Sequence, residues 1–247
     1  MVDRIRKELE FYSNLLEGFR PGNLIYDIGA NHGSKTSIFL RLGARVIAVE
    51  PDEDNRTILK DMFLTKRMVP KPVVIVGKAV SDTATTETMW IDKPGSALNT
   101  LSEKWADTLK TDERKRFDTT FTFKDCVKVQ TTTLGDLFSS YGLPFFVKID
   151  VEGYELHVLK GLRQPVPFLS FEVNLPEFQA EGLECVELLE RQDAEGTFNY
   201  AVDCGDGLVL QKWLRPREFM PVFSDCRQKS IEVFWKSSLA PRQASVA

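Results

Sequence analysis

The chain has 247 residues, 43% hydrophobic and 28% charged, with a formal net charge of −4. That length suits one larger domain or two small ones of ordinary globular composition, and the lack of a basic stripe argues against a nucleic-acid surface. Cys126, Cys185, Cys204 and Cys226 form no C-x-x-C pair and there are only two histidines, which disfavours zinc. There is no apolar leader and no apolar run near the roughly 18 residues of a membrane span, so the expectation is a cytoplasmic domain with reduced thiols and no membrane attachment.

Residues 3–17 read as a helix, because Ile5, Leu9, Tyr12 and Leu16 recur on one face of a 3.6-residue period. Gly18 and Pro21-Gly22 end it. Leu24, Ile25, Tyr26 and Ile28 then form a short buried strand, and Gly29-Ala30-Asn31-His32-Gly33 a tight turn. Residues 34–42 follow as a helix with Ile38, Phe39 and Leu42 inward, and residues 45–49 as a second buried strand ending at Glu50. This is a βαβ unit, which binds ligands at the carboxyl ends of its strands. The nicotinamide fingerprint G-x-G-x-x-G is absent: Asn31 stands where the second glycine would be, and Asn tolerates left-handed backbone angles. Asp27 puts an acid at the strand end, where it would repel a pyrophosphate but suit a cationic ligand. Glu50, at the next strand end, can accept both hydroxyls of a ribose. A cationic amino-acid part joined to a ribose describes S-adenosylmethionine (SAM).

Residues 52–67 read as the next helix, capped by Asp52 or Asp54, with Ile58, Leu59, Met62 and Phe63 as its apolar face. Residues 73–80 form a third buried strand. Residues 85–92 alternate weakly as a strand, 94–100 have loop chemistry, and 110–118 are a mixed charge run on a solvated face. Residues 117–123 and 126–132 read as a hairpin around Lys124-Asp125. The insert 83–133 is too long and polar for a simple crossover; it reads as an appended β segment near the catalytic face that selects the substrate. Helices are expected at 134–141, 154–161 and 183–192. Strands are expected at 145–150, 168–174, 198–202, 208–212 and 230–235, with a loose tail from Ser237.

The acids at strand ends are candidates for chemistry. Asp150 closes one strand, and Glu172 and Asn174 close the next on a shared face, since strand side chains alternate. Lys148 points the same way as Asp150 and can pair with it or with Glu172, keeping them ionised. Displacement of the methyl group of such a ligand is in-line and requires positioning, and a weakly nucleophilic acceptor also requires a general base or a metal. Asp150 is the first candidate. It serves as base, orients the methionine amine, or holds a divalent metal with Glu172 and Asn174; its structural alternative is to cap the helix near Gly153. His157 is a second base candidate or a packing residue. Glu152 is assigned to the turn and the following helix N-terminus. His32 and Lys35 lie near the turn, where a ligand carboxylate is already favoured by backbone N–H groups.

Asp27-Ile28-Gly29-Ala30-Asn31-His32-Gly33 with Val49-Glu50-Pro51 resembles motif I of class I SAM-dependent methyltransferases. Together with Lys148-Ile149-Asp150-Val151-Glu152-Gly153-Tyr154-Glu155, it resembles the FkbM family, from about residue 23 to residue 174. The resemblance implies a Rossmann-like α/β fold, with a mostly parallel seven-stranded sheet between helices. It implies SAM as cofactor and O-methylation of a small hydroxylated molecule such as a polyketide or sugar. It places Asp27, Gly29, Ala30, Asn31, Gly33, Ser34, Glu50, Pro51 and Asp150 around the cofactor, and Val80 and Asp82 at the adenine. It also implies that the strands of Asp150 and Glu172 are neighbours, and it offers the N-terminal helix as a lid or as packing on the sheet edge. The alternatives are a non-catalytic SAM-binding module, a nitrogen acceptor, or a nicotinamide-dependent oxidoreductase, the last disfavoured by the missing glycine and by Asp27. The oligomeric state is left open.

Overall fold

A computed structural model describes residues 2–64, 72–111, 116, 117 and 119–241. In chain order the elements are α1 (Val2–Leu15), β1 (Leu24–Ile28), α2 (Ser34–Arg41), β2 (Arg45–Val49), α3 (Glu53–Phe63), β3 (Val73–Val76), β4 (Ala79–Val80), β5 (Thr86–Ile91) and α4 (Glu103–Thr111). There follow β6 (Asp125–Thr132), α5 (Leu134–Tyr141), β7 (Phe146–Ile149), α6 (Glu155–Lys160), β8 (Phe168–Asn174), α7 (Gln179–Gln192), β9 (Thr197–Ala201), α8 (Pro216–Ser224) and β10 (Ser230–Lys236).

Seven strands form one sheet in the order β3-β2-β1-β7-β8-β10-β9, with β10 antiparallel to both neighbours and the other pairs parallel. β1, β2, β7 and β8 are apolar runs because both faces are covered. Tyr26, Ile28, Val147, Ile149, Leu169 and Phe171 face one core with α4 to α8. Ile25, Val46, Phe146, Phe168 and Phe234 face the other, under α1 to α3. The parallel register sets Asp27 beside Lys148, and Lys148 beside Ser170, on this second face.

α1 packs on the sheet. Tyr12 is fully buried against the rings of Phe39 and Phe146, and none of the described α1 residues lines the cleft described below. Ile5 lies beyond that contact and is exposed, and so are Ile58 and Met62 on α3, where Leu59 carries the burial. Residues 65–67 of the expected α3 helix lie outside the described residues.

The expected strand 73–80 is broken at Gly77. β3 ends the main sheet, whereas β4 joins a three-stranded sheet in the order β4-β6-β5. The hairpin partner of β6 is β5, not residues 117–123. Phe121 and Phe123 turn inward to the core instead, and Phe123 takes φ 42°, which interrupts a strand. Within the same insert, Trp105, Ala106 and Leu109 bury one face of α4, a helix absent from the sequence reading.

Three other corrections concern the C-terminal third. Residues 208–212 do not form a strand; Val209 N donates to the Tyr200 carbonyl, and Leu210 is held by the Asn199 side chain, which accepts from its N–H and donates to its carbonyl. α8 was obscured by its prolines, although Pro216 occupies the first turn, where a missing N–H costs nothing. Residues 237–241 are packed rather than loose: Ser237 and Ala240 are buried and Pro241 lies against Gly18, while 242–247 fall outside the described residues.

Candidate active site

The turn after β1 is fixed by close approach. Gly29 has φ 81°, and a Cβ there would come within 1.7 Å of the Asp150 carbonyl oxygen. Only glycine allows the ends of β1 and β7 to lie so close. Gly33 has φ 82°, and its missing side chain leaves room for Phe63 and Leu59 of α3. Asn31 sits between them at φ 46°, as its residue type permits.

Glu50 closes this turn from β2. Its Oε2 accepts from Asn31 N and its Oε1 from Asp52 N, each at 2.8 Å. Burial pushes its carboxyl up to about 7 in spite of those N–H groups. The adjoining cleft is lined by Gly29, Asn31, Glu50, Pro51, Val80 and Asp150, among others. Asn31 Oδ1 and Asn55 Oδ1, both on this lining, are buried without a hydrogen-bond partner. Residues 96–101 cross the cleft as a strap, with Asn99 Nδ2 on Asp52 at 2.8 Å and Thr100 Oγ1 on the Glu152 carbonyl at 2.7 Å. The strap leaves a cavity of about 50 Å³, below the roughly 300 Å³ at which ligand pockets begin.

At one end of the cleft, whose lining includes Asp150 and Glu152, three carboxylates converge at the ends of β7 and β8. One oxygen each from Asp150, Glu152 and Glu172 lies within 4.8 Å of the others. Asp150 accepts from Lys148 Nζ at 2.7 Å, Glu172 from Ser230 Oγ at 2.9 Å, and Glu152 from Trp105 Nε1 at 3.0 Å. Burial alone would raise Asp150, but Lys148 outweighs it and holds Asp150 below the ordinary carboxylate range. Burial and the neighbouring Asp150 charge push Glu152 up to about 8 and Glu172 well above its usual value. The group therefore pairs one firmly ionised acid with two that retain protons more readily.

The family profile described as the methyltransferase FkbM domain matches residues 27–199, which span the turn, the cleft and all three acids.

The chain belongs to the FkbM methyltransferase family.

A solved FkbM methyltransferase from Methylobacillus flagellatus superposes with a TM-score of 0.56 at 16% identity, covering 92% of this chain and 47% of that one. The chain thus spans about half the length of that structure. A SAM-dependent O-methyltransferase from Thermotoga maritima gives a TM-score of 0.43 at 12% identity, covering 96% and 67%. The plantazolicin methyltransferase BpumL, solved with a monoazolic desmethylPZN analog and S-adenosylhomocysteine (SAH), gives 0.47 at 8%, covering 96% and 84%. No curated protein matches the chain. The fold is that of class I SAM-dependent methyltransferases.

In this member of the FkbM methyltransferase family, Asp27 is displaced from its expected place. It is 1% exposed and lies on the sheet face behind the cleft, not on its lining. Its Oδ2 accepts from Thr36 Oγ1 at 2.5 Å, while Oδ1 is buried without a partner. Burial raises its carboxyl, offset in part by Lys148 and Thr36. The cation that Asp27 faces is Lys148, which is 2% exposed and stands in register with it. Burial works to lower Lys148, but Asp150, Glu232 and Asp27 raise it above its usual value, so it is charged. The sequence showed the acid but not that the chain supplies its own cation.

Ala30 and Gly33 are buried in the turn and Ser34 is exposed at the start of α2; none of the three lines the cleft. Asp82 is exposed and accepts from Ser81 and Thr83, again off the lining. His32 is exposed, and Lys35 pairs with Glu8 of α1 at 2.5 Å. His157 stacks on Tyr154 with centroids 4.1 Å apart and does not join the acids. Burial, then Lys160, lowers its pKa. Asn174 is buried two residues beyond Glu172, opposite Ser230.

The turn role expected of Glu152 falls to Glu155. Glu155 accepts from Val151 N and Gly153 N and so holds the turn. Glu152, at φ 57°, aims at Trp105 and the acids instead. Asp150 pairs with Lys148, and the N-cap position of α6 is Tyr154, without a side-chain cap. Asn55 and Trp105 were absent from the sequence reading because their roles depend on the strap and α4 folding over the sheet.

Proposed function

We propose that the protein is a SAM-dependent O-methyltransferase, transferring a methyl group by in-line displacement to a hydroxyl of a small molecule. The observation that carries this is the convergence of Asp150, Glu152 and Glu172 beside a cleft walled by Glu50. SAM supplies an electrophilic methyl group when bound. The residues fit it: Glu50 offers carboxylate oxygens to ribose hydroxyls, and the unpartnered Oδ1 atoms of Asn31 and Asn55 offer acceptors to amino or hydroxyl groups. Pro51 and Val80 give apolar surface for a base. Asp150, held ionised by Lys148, orients the acceptor hydroxyl, and Glu172 in its ionised form takes the hydroxyl proton. Two acids whose environments push their pKa values apart suit such a division of roles.

The test is SAH production from SAM with a panel of hydroxylated metabolites. Glu172→Gln is expected to lower turnover on the order of 100-fold, with SAH affinity within threefold of the parent. Turnover unaffected by that change removes Glu172 from catalysis, and tight SAM binding without turnover of any hydroxylated compound favours a binding module. An amine methylated in preference to every alcohol moves the acceptor to nitrogen.

A second reading has its own observation. Three carboxylates within 4.8 Å of one another also suit a divalent cation, with Glu152 in the place that the sequence assigned to Asn174. Such a cation would lower the pKa of an acceptor hydroxyl. Activity indifferent to exhaustive chelation, with no calorimetric binding of Mg²⁺ or Mn²⁺, rejects this version and leaves the acid–base one.

A further inference from the structure

A second cavity, of about 550 Å³, shares no lining residue with the cleft. Its size is that of a small-ligand pocket. Arg116, Leu175, Pro176, Arg227 and Lys229 form its wall, and among the described residues no acidic one lines it. Arg116 is neutralised by Glu177 and serves as a brace, since its Nη1 donates to the Lys229 carbonyl and its Nη2 to that of Leu175. Arg227 and Lys229 are exposed and have no carboxylate partner among the described residues. On a chain of net charge −4, two cations on one cavity wall without a carboxylate partner among the described residues favour an anion there.

The cavity is tied to the reacting end of the sheet at two points. Ser230, about 3.8 Å of chain beyond Lys229, donates to Glu172 Oε1 at 2.9 Å. The guanidinium of Arg116 lies 5.3 Å over the ring of Trp105, which itself donates to Glu152.

We propose that this cavity binds an anionic group of the methyl acceptor, a phosphate or a carboxylate, on Arg227 and Lys229, and so presents the acceptor's hydroxyl to Glu172 and Asp150. The inference rests on the methyl-transfer reading and narrows its substrate class to hydroxylated anions. A guanidinium matches the planar or tetrahedral oxygens of such groups, and a lysine adds a point charge.

The experiment is amide NMR on SAH-saturated protein, titrated in separate arms with pyrophosphate and with succinate. The expected result is a saturable shift at Arg227, Gln228 and Lys229 in at least one arm, weakened at least tenfold in Arg227→Gln/Lys229→Gln. Whichever arm saturates names the anion. Calorimetry on the same samples is expected to give SAH affinity equal in parent and variant, which shows that the exposed substitutions leave the fold intact. Failure of either anion to give a saturable shift at residues 227–229, or an undiminished shift in the double variant, overturns the proposal. Failure of SAH to bind at all overturns the methyl-transfer reading instead, and the anion titration of the unliganded protein still reports on the cavity.

Discussion

Lys148 donates to Asp150 across 2.7 Å from a side chain that is 3% exposed, while Asp150 itself is 34% exposed. One partner is thus anchored in the sheet and the other faces the reaction space. Lys148→Met is expected to let Asp150 rise toward and above the ordinary carboxylate range. Because Asp150 has to be ionised, activity in the variant should fail at a higher pH as the solution is acidified. A pH–rate profile whose acid limb does not move rejects the pairing as functional. The stability loss should lie below the roughly 3–5 kcal/mol of a fully buried pair, since Asp150 reaches solvent.

Glu50 and Asp27 should separate cleanly. Glu50→Ala removes the acceptor of two backbone N–H groups on the cleft wall, and SAH affinity by calorimetry is expected to drop at least tenfold. Asp27→Asn acts behind the cleft on Thr36 and Lys148, so it should lower the melting temperature more than the affinity. An Asp27 variant of normal stability but lost SAH binding would show that the acid reaches the ligand after all.

Glu155 sets a pH-dependent stability. Burial raises its carboxyl from 4.5 to about 7, so below pH 4.5 its contribution is fully present, and it is lost as pH rises through 7. A rise of that size corresponds to about 3 kcal/mol. Glu155→Gln keeps an acceptor for Val151 N and Gly153 N but cannot ionise. Denaturant melts of the parent, set against those of the variant, should lose stability between pH 4.5 and 7. Parallel curves would remove Glu155 as the cause.

The strap should control entry. Asn99→Ala removes the bond from the strap to Asp52, and stopped-flow SAH association is expected to speed up severalfold. An unchanged association rate would mean that the cleft opens elsewhere.

The main sheet was readable because its central strands are buried on both faces and appear as apolar runs between glycine turns. The insert was not. Phe121 and Phe123 look like strand residues, yet they serve a core built by distant segments, and α4 has only Trp105, Ala106 and Leu109 to mark it. Prolines concealed α8, because Pro216 and Pro221 read as breakers although the first is harmless at a helix start.

The sequence by itself determined the class of the site: the D-x-G-A-N-x-G turn, Glu50, and acids at the ends of two later strands. Their roles depend on local chemistry and on side-chain alternation, and both are carried by neighbouring residues. Tertiary structure alone decided the partners. Parallel pairing of β1 with β7 gave Asp27 a buried cation in Lys148. A left-handed turn sent Glu152 toward Asp150 and Glu172 and left the turn to Glu155. Packing of the insert brought Arg116 from the far side of the chain to brace Leu175 and Lys229. A charge's function follows from which opposite charge it meets after burial, and those meetings join residues that lie far apart along the chain.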